Sequence, residues 1–272
     1  MLSLQSHHIT DLFVMVDDML PKEEKTLGGR PNLMEDSELI TALVWNSLNI
    51  HSKTIKDVHK WLGLYHKSDF KNIPKYAGFV AQCQRIIPLL IYVIDSLLLD
   101  KTAIRIMDST MLEVCKLQRA DEHKGCKKIA AFGKNWQGWH YGFKLHASID
   151  LKGRLCGLCF TPANIHDSRA EPILLNKHTK LAVGDGTYGG KAMNEPIFEK
   201  YGTIVIAPPH PKQKRKLVAK WQQFLLNIRS KIECTFDYLK NHMGLVSSFP
   251  RSPRGYLFHY LRIILGYQIM TV

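Results

Sequence analysis

Ala103-Ile104-Arg105-Ile106-Met107-Asp108, with the two stretches Tyr141 to Ile149 and Leu155 to Thr161 downstream, decide the fold. The first is a short β-branched run closed by an acid. The second places Tyr141, Phe143, Leu145, Ala147 and Ile149 at every other position, the period of a half-buried strand. Between the second and third, Asp150-Leu151-Lys152-Gly153 supplies a hairpin turn. Beyond them, Asp167 or Ser168 caps a helix expected to run to about Asn176. Leu181-Ala182-Val183 reads as a buried strand ending in Gly184-Asp185-Gly186, and Thr203 to Ala207 as another. From Trp221 to about His242, Trp221, Phe224, Leu225, Ile228, Ile232, Phe236 and Leu239 recur at three and four, as on one long helix, and a last helix runs from about Tyr256 to Ile269. This order predicts an α/β domain over residues 101–272, with a mixed sheet and covering helices.

Upstream the period is helical, so residues 1–100 read as an all-helical N-terminal region. Asp36 or Ser37 caps a helix carrying Leu39, Ile40, Leu43, Val44 and Leu48. Thr54 with Asp57 opens a second, with Ile55, Val58, Trp61 and Leu62 as its stripe. The pair serves equally as a DNA-binding helix-turn-helix presenting Lys53, Lys56, His59 and Lys60 to phosphates, or as a plain helical hairpin. A third helical stretch, about Ala77 to Leu99, is expected to kink at Pro88.

Charge narrows the partners. Against 24 acidic residues stand 37 Lys and Arg, a net +13 before any of 13 histidines protonates, which points to a polyanion such as nucleic acid. The longest nearly apolar run, Ile86 to Leu99, is 14 residues with Pro88 and Asp95 inside it, short of the roughly 20 a membrane helix needs. The acids Asp11, Asp17 and Asp18 around Leu12 to Val14 do not resemble a secretory signal, so an intracellular, cytoplasmic protein is expected. Six scattered cysteines make no disulfide framework. Cys156 and Cys159, three apart in a strand-like run, face opposite ways and suit a zinc site poorly.

Three acids stand out by position: Asp108 after the first strand, Asp185 after the fourth, and Glu233 within the helix expected to cover the sheet. Carboxylates at the same ends of neighbouring strands converge, and a helix across them can present a third. Such hard donors suit Mg²⁺ or Mn²⁺, in pairs about 4 Å apart, for phosphodiester chemistry. Arg229, four before Glu233, and Lys240, seven after, fall on the same helical face and can hold phosphate; the first is equally an ordinary i,i+4 salt bridge.

Five motifs then converge: Met107-Asp108-Ser109-Thr110; Gly142 to His146; Asn164-Ile165-His166-Asp167; Gly184 to Tyr188; and Arg229-Ser230-Lys231-Ile232-Glu233 with Lys240. Together, from about residue 100 onward, they resemble the DDE transposases of bacterial insertion sequences. The likeness is greatest to the families numbered four and five and to the nine-eighty-two group, which the helical N-terminus also resembles. The resemblance implies a ribonuclease-H-like core in which Asp108, Asp185 and Glu233 hold two divalent metals. Arg229 and Lys240 fall on the Arg and Lys of the family's Tyr-Arg-Glu-Lys signature, whereas its Tyr position holds Leu226. It further implies cleavage of terminal inverted repeats, strand transfer into target DNA, and a homodimer or larger synaptic assembly. A nuclease that never joins ends and an inactive DNA-binding regulator are the rival readings.

Three features lie outside the catalytic set. His166 and Asp167 read as a helix cap and turn. Lys212, Lys214, Arg215 and Lys216 make four charges in five residues, a DNA contact or a solvated loop. Trp136, Trp139 and His140, beside Lys134, either stack on unpaired bases or close the core.

Overall fold

The structure, a computed structural model, describes residues 8–22, 32–209 and 219–271. Its contacts divide into two units: Leu98–Lys240, and a helical unit drawn from Met1–Leu97 together with Asn241–Val272.

The helical unit begins with α1 (Ile9–Met19), α2 (Asp36–Asn49), α3 (Ile55–Tyr65), α4 (Tyr76–Arg85) and α5 (Ile87–Leu97). Glu38 accepts from the Glu35 backbone N–H at 2.8 Å, closing the first turn of α2. At α3 the Asp57 N–H donates to the Thr54 hydroxyl oxygen at 3.1 Å, and Val58, Trp61 and Leu62 are the buried stripe. The expected kink falls at Ile86, where α4 and α5 meet at 48°. Pro88 sits in the first turn of α5, where its missing N–H breaks no helical bond.

The second unit contains β1 (Ile104–Glu113), β2 (Ala131–Asn135), β3 (Gly138–Ile149), β4 (Leu155–Pro162), α6 (Glu171–Leu174), β5 (Leu181–Val183), α7 (Lys191–Tyr201), β6 (Ile204–Ile206), α8 (Lys220–Ile228) and α9 (Ser230–Asp237), with a π-helical turn over Tyr238–His242. The sheet order is β2-β3-β1-β5-β6, and β4 also pairs with β3. β1, β2 and β4 run antiparallel to β3, while β1, β5 and β6 are mutually parallel. The β3–β4 turn forms as the sequence suggests: Gly153 takes φ 87°, and the Asp150 carboxylate accepts from the N–H groups of Lys152 and Arg154. One face of the sheet packs Met107 and Ala182 with Leu174, Tyr188 and Ile197; another cluster joins Val183 and Ile206 to Leu225 of α8.

Arg105 is buried in this unit. Its guanidinium donates to the carbonyls of Cys156 (2.9 Å), Leu174 (2.9 Å), Leu99 (3.3 Å) and Asp100 (3.0 Å). One β1 side chain thus ties together β4, the end of α6 and the chain entering β1.

Several expectations change. β1 continues past Asp108 to Glu113, because its whole length pairs with β3, from Ile106↔Ile149 to Glu113↔Gly142. β2 lies in a Gly-rich stretch without strand periodicity. The helix expected from Asp167 to Asn176 is a 3₁₀ turn over Asp167–Arg169 followed by the four-residue α6. The long helix is broken: Arg229 stands between α8 and α9, its N–H bonded to Leu226 O, a three-residue rather than four-residue step.

The last helix, α10 (Pro253–Thr271), packs on α2 and α5 in the helical unit, whereas the sequence reading joined it to the sheet domain. It is buried on all sides from Phe258 to Ile269, including the polar His259, Arg262 and Gln268, and a helix buried all round needs neighbours on every face, which other helices supply. Arg262, also buried there, donates to Ser52 O at 2.7 Å, and burial pulls its guanidinium down to about 10.

Candidate active site

Register brings the first two acids level. Ile106 pairs with Val183 across the parallel β1–β5 ladder. Asp108 and Asp185 each lie two residues farther along, Asp108 within β1 and Asp185 just past the end of β5. Gly184 has no room for a side chain, since a Cβ there would meet the Tyr188 ring at 2.6 Å. The chain therefore turns tightly, and the Asp185 carboxylate accepts from the Thr187 N–H at 2.9 Å and from the Thr187 hydroxyl.

Asp108 is mostly buried, and its carboxyl is pushed up to about 6. Burial is the main cause; the Ser109 N–H opposes it at 2.7 Å, the charges of Asp185 and Asp167 reinforce it, and Arg229 opposes it.

The third acid is tied in by one guanidinium. Arg229 donates from Nη1 to Asp108 at 3.2 Å and reaches Glu233 from Nη2 at 3.0 Å. The α8–α9 break sets this residue at the junction. Of the two sequence alternatives for Arg229, the i,i+4 salt bridge is present, and beside it stands a link to the strand acid that neither alternative included.

Lys240 does not join this group by any contact found among the described residues. It lies in the π-helical turn, whose wider spacing breaks the 3.6-residue phase on which the single-face expectation rested. Burial lowers its pKa, and the charge opposing that shift is Glu113, five residues and about 16 Å along β1 from Asp108. The run Lys212, Lys214, Arg215 and Lys216 falls outside the described residues.

Sequence reasoning passed over a second polar group. Asp167 is more than a turn former: Lys144 Nζ donates to it at 2.8 Å and also to Ile165 O at 2.9 Å. The cap expected of this pair is made by His166, whose ring accepts from the Ser168 N–H. His146 is buried with Nδ1 3.7 Å from Asp167, and burial holds it below the usual imidazole range although Asp167 opposes that shift. Glu171 is fully buried, its carboxyl pushed up to about 7, and neither oxygen has a hydrogen-bond partner among the described residues. Asp167, Asp108, Asp185 and Glu171 all add to burial in raising the Tyr188 phenol. Nothing in the Asn164 to Asp167 motif alone could reveal this, because Lys144 comes from another strand.

With β2 set aside, the order β4-β3-β1-β5-β6, antiparallel on one side and parallel on the other, defines a ribonuclease-H-like domain with acids on its first and fourth core strands. Residues 99–252, more than half the chain, match the family described as Transposase DDE domain, and the chain belongs to that family of DDE transposases. No solved structure gives a significant match.

The donor set fits a hard divalent cation. All three acids supply oxygen, and a buried carboxylate raised by a neighbouring acid gains when a cation offsets both costs. Among the described residues no three His, Cys, Asp or Glu side chains already stand together as a ready ligand cluster. Arg229 holds Asp108 and Glu233 in ion pairs in this arrangement.

The strain on Asp108 has a measurable sign. Its folded pKa of about 6 exceeds the ordinary 3.8, so ionising it costs the folded state free energy. The cost is absent below about pH 4, grows between 4 and 6, and is full above 6, on the order of 3 kcal/mol. Without added metal, Asp108→Asn is therefore expected to melt several degrees above the wild type at pH 8 and to lose that margin near pH 4. Equal melting temperatures at both pH values would show that Asp108 carries no such cost.

Proposed function

We propose that this transposase cuts the ends of an insertion sequence and joins them to target DNA, with Asp108, Asp185 and Glu233 as its metal-holding triad. The observation that carries the reading is the level placement of Asp108 within β1 and Asp185 just past the end of the adjacent parallel β5, with Glu233 tied to the first through Arg229. A bound pair of Mg²⁺ or Mn²⁺ ions supplies Lewis-acid stabilisation of attacking and leaving oxygens. The chain's own part is to hold those ions and orient the phosphodiester for in-line attack, first by water to free a 3′-OH, then by that 3′-OH on target DNA. Arg229, which pairs with Asp108 and Glu233 in this arrangement, is proposed to contact the scissile phosphate.

The helix pair α2–α3 is the proposed helix-turn-helix, and a homodimer or larger assembly would bring two terminal inverted repeats together. Among the described residues no single helix is long and apolar enough to cross a membrane. Lys212, Lys214, Arg215 and Lys216 are proposed to contact phosphates. Replacing all four by Gln should flatten the salt dependence of DNA binding, each lost phosphate contact removing about 0.9 from the slope of log affinity against log salt. An unchanged slope would leave the run a solvated loop. Arg229 and Lys240 remain DNA-contact candidates, Arg229 on geometry and Lys240 on the family signature.

The test uses the DNA flanking the reading frame as substrate. Nicks bearing 3′-OH ends, followed by joined products, should appear with Mg²⁺ or Mn²⁺ and vanish in EDTA. Nicks without joining would favour the nuclease, and binding without nicks the inactive regulator. Activity surviving chelation would overturn the two-metal reading.

A further inference from the structure

We infer that the β2–β3 hairpin is a stacking platform for unpaired or unstacked bases of the DNA on which the enzyme acts, a role that rests on the transposase reading above. The hairpin turns through Trp136 and Gln137, with Asn135 paired to Gly138, Lys134 to Trp139 and Phe132 to Tyr141. Residues directly opposite share a face, so one face carries Phe132, Tyr141, Lys134 and Trp139 in succession, with Trp136 in the turn just beyond them. Exposure rises along it: Tyr141 is 5% exposed, Phe132 45%, Trp139 57% and Trp136 90%. The Phe132 and Tyr141 rings pack with centroids 4.9 Å apart, and Lys134 Nζ stands 5.8 Å from the centre of the Trp139 ring.

These tryptophans do not close a core. The opposite face of the hairpin is held by polar contacts: Asn135 Oδ1 accepts from the Gln137 N–H at 2.9 Å and meets His140 Nε2 at 2.8 Å, while His140 Nδ1 contacts the Glu113 carboxylate. Gly138 takes φ 123°, which only glycine adopts freely. The turn is thus fixed from behind while Phe132, Trp139 and Trp136 stay exposed to water and Tyr141 is buried beneath them.

Charge selects the occupant. Lys134 lies on the platform, and Lys124, Lys127 and Lys128 are exposed on the chain leading to β2. A flat π surface flanked by cations matches a base with its phosphate, and base–aromatic stacking needs no particular sequence. In a B-form duplex each base face is already stacked on its neighbours, so the ligand is a base out of the stack. Cutting and joining at an end expose such bases.

The test compares binding of a blunt duplex with the same duplex carrying two unpaired bases near its end, in EDTA so that no cleavage intervenes. The wild type should bind the second at least tenfold more tightly, and 2-aminopurine at the unpaired position should be quenched. Trp136→Leu with Trp139→Leu should bring the two affinities within about twofold while blunt-duplex affinity holds. Trp136→Phe with Trp139→Phe, which keeps the π faces, should retain most of the preference. Both sites are surface-exposed, so neither variant threatens the fold. Equal binding of both duplexes by the wild type, or a preference surviving in the Leu variant, would overturn the inference and leave the transposase reading intact. Failure to bind either duplex would overturn both. A change in oligomeric state with DNA preference unaltered would make the hairpin a protein contact and likewise overturn it.

Discussion

Asp108→Asn, Asp185→Asn and Glu233→Gln are each expected to lower DNA cleavage and strand transfer roughly a thousandfold or more while changing DNA affinity only slightly. Each replaces a carboxylate proposed to hold a divalent ion by an amide of the same shape with no charge, removing several kcal/mol of transition-state stabilisation. Affinity comes mainly from phosphate contacts by basic residues, which the three substitutions leave in place. Asp108→Asn also keeps the oxygen that accepts the Ser109 N–H at 2.7 Å. Folding is therefore not the expected cause of its inactivity, and the higher melting temperature expected at pH 8 provides the control. Activity within tenfold of wild type in any one variant would remove that residue from the triad.

Arg105→Met is expected to destabilise the sheet unit by about 3 kcal/mol or more, lowering its melting temperature by roughly 10 °C. Met fills much of the space and ordinarily suits a core. Here it would remove from a buried position the one donor shared by the carbonyls of Leu99, Asp100, Cys156 and Leu174, of which all but that of Cys156 keep a second donor in Thr102, Asn176 and Ser148. Arg105→Lys should recover only part of the loss, because one ammonium cannot reproduce a planar fork aimed at groups on several sides. Thermal and urea unfolding of the three proteins would decide the matter, and a loss under 1 kcal/mol for Arg105→Met would show that the carbonyls find other partners.

Much of the sheet was legible because its strands are apolar and β-branched, one of them partly alternating, although several are buried on both faces. Tyr141 to Ile149 read as a strand from its partial alternation and Leu155 to Thr161 from its apolar run, and the Asp150 to Gly153 turn joins them as expected. β2 was illegible: Gly133 and Lys134 carry no strand signal, and the segment is a strand only because β3 offers it an edge. The acids were legible by position, yet the length of β1 was not, because pairing with β3 extends it through polar Ser109 and Thr110. Helical spacing placed Arg229 beside Glu233 correctly but not its bond to Asp108, a contact 121 residues away in sequence. The same spacing misled for Lys240, since a π-helical turn leaves no mark in an apolar repeat. Lys144 and Asp167 went unpaired in the reading for a simpler cause, being 23 residues apart on different elements.

The helical unit is completed by α10, which follows the sheet unit in the chain. During synthesis α2 and α5 emerge first, with apolar surface that α10 later covers, and at roughly 5 to 20 residues per second that partner arrives some ten seconds or more afterwards. The sheet unit, whose segments are contiguous, can gather its own contacts in that interval. The order of folding thus runs against the order of translation, and ribosome-bound chains halted before Pro253 should be protected from protease across the sheet unit while α2 and α5 stay open to cutting and to chaperones.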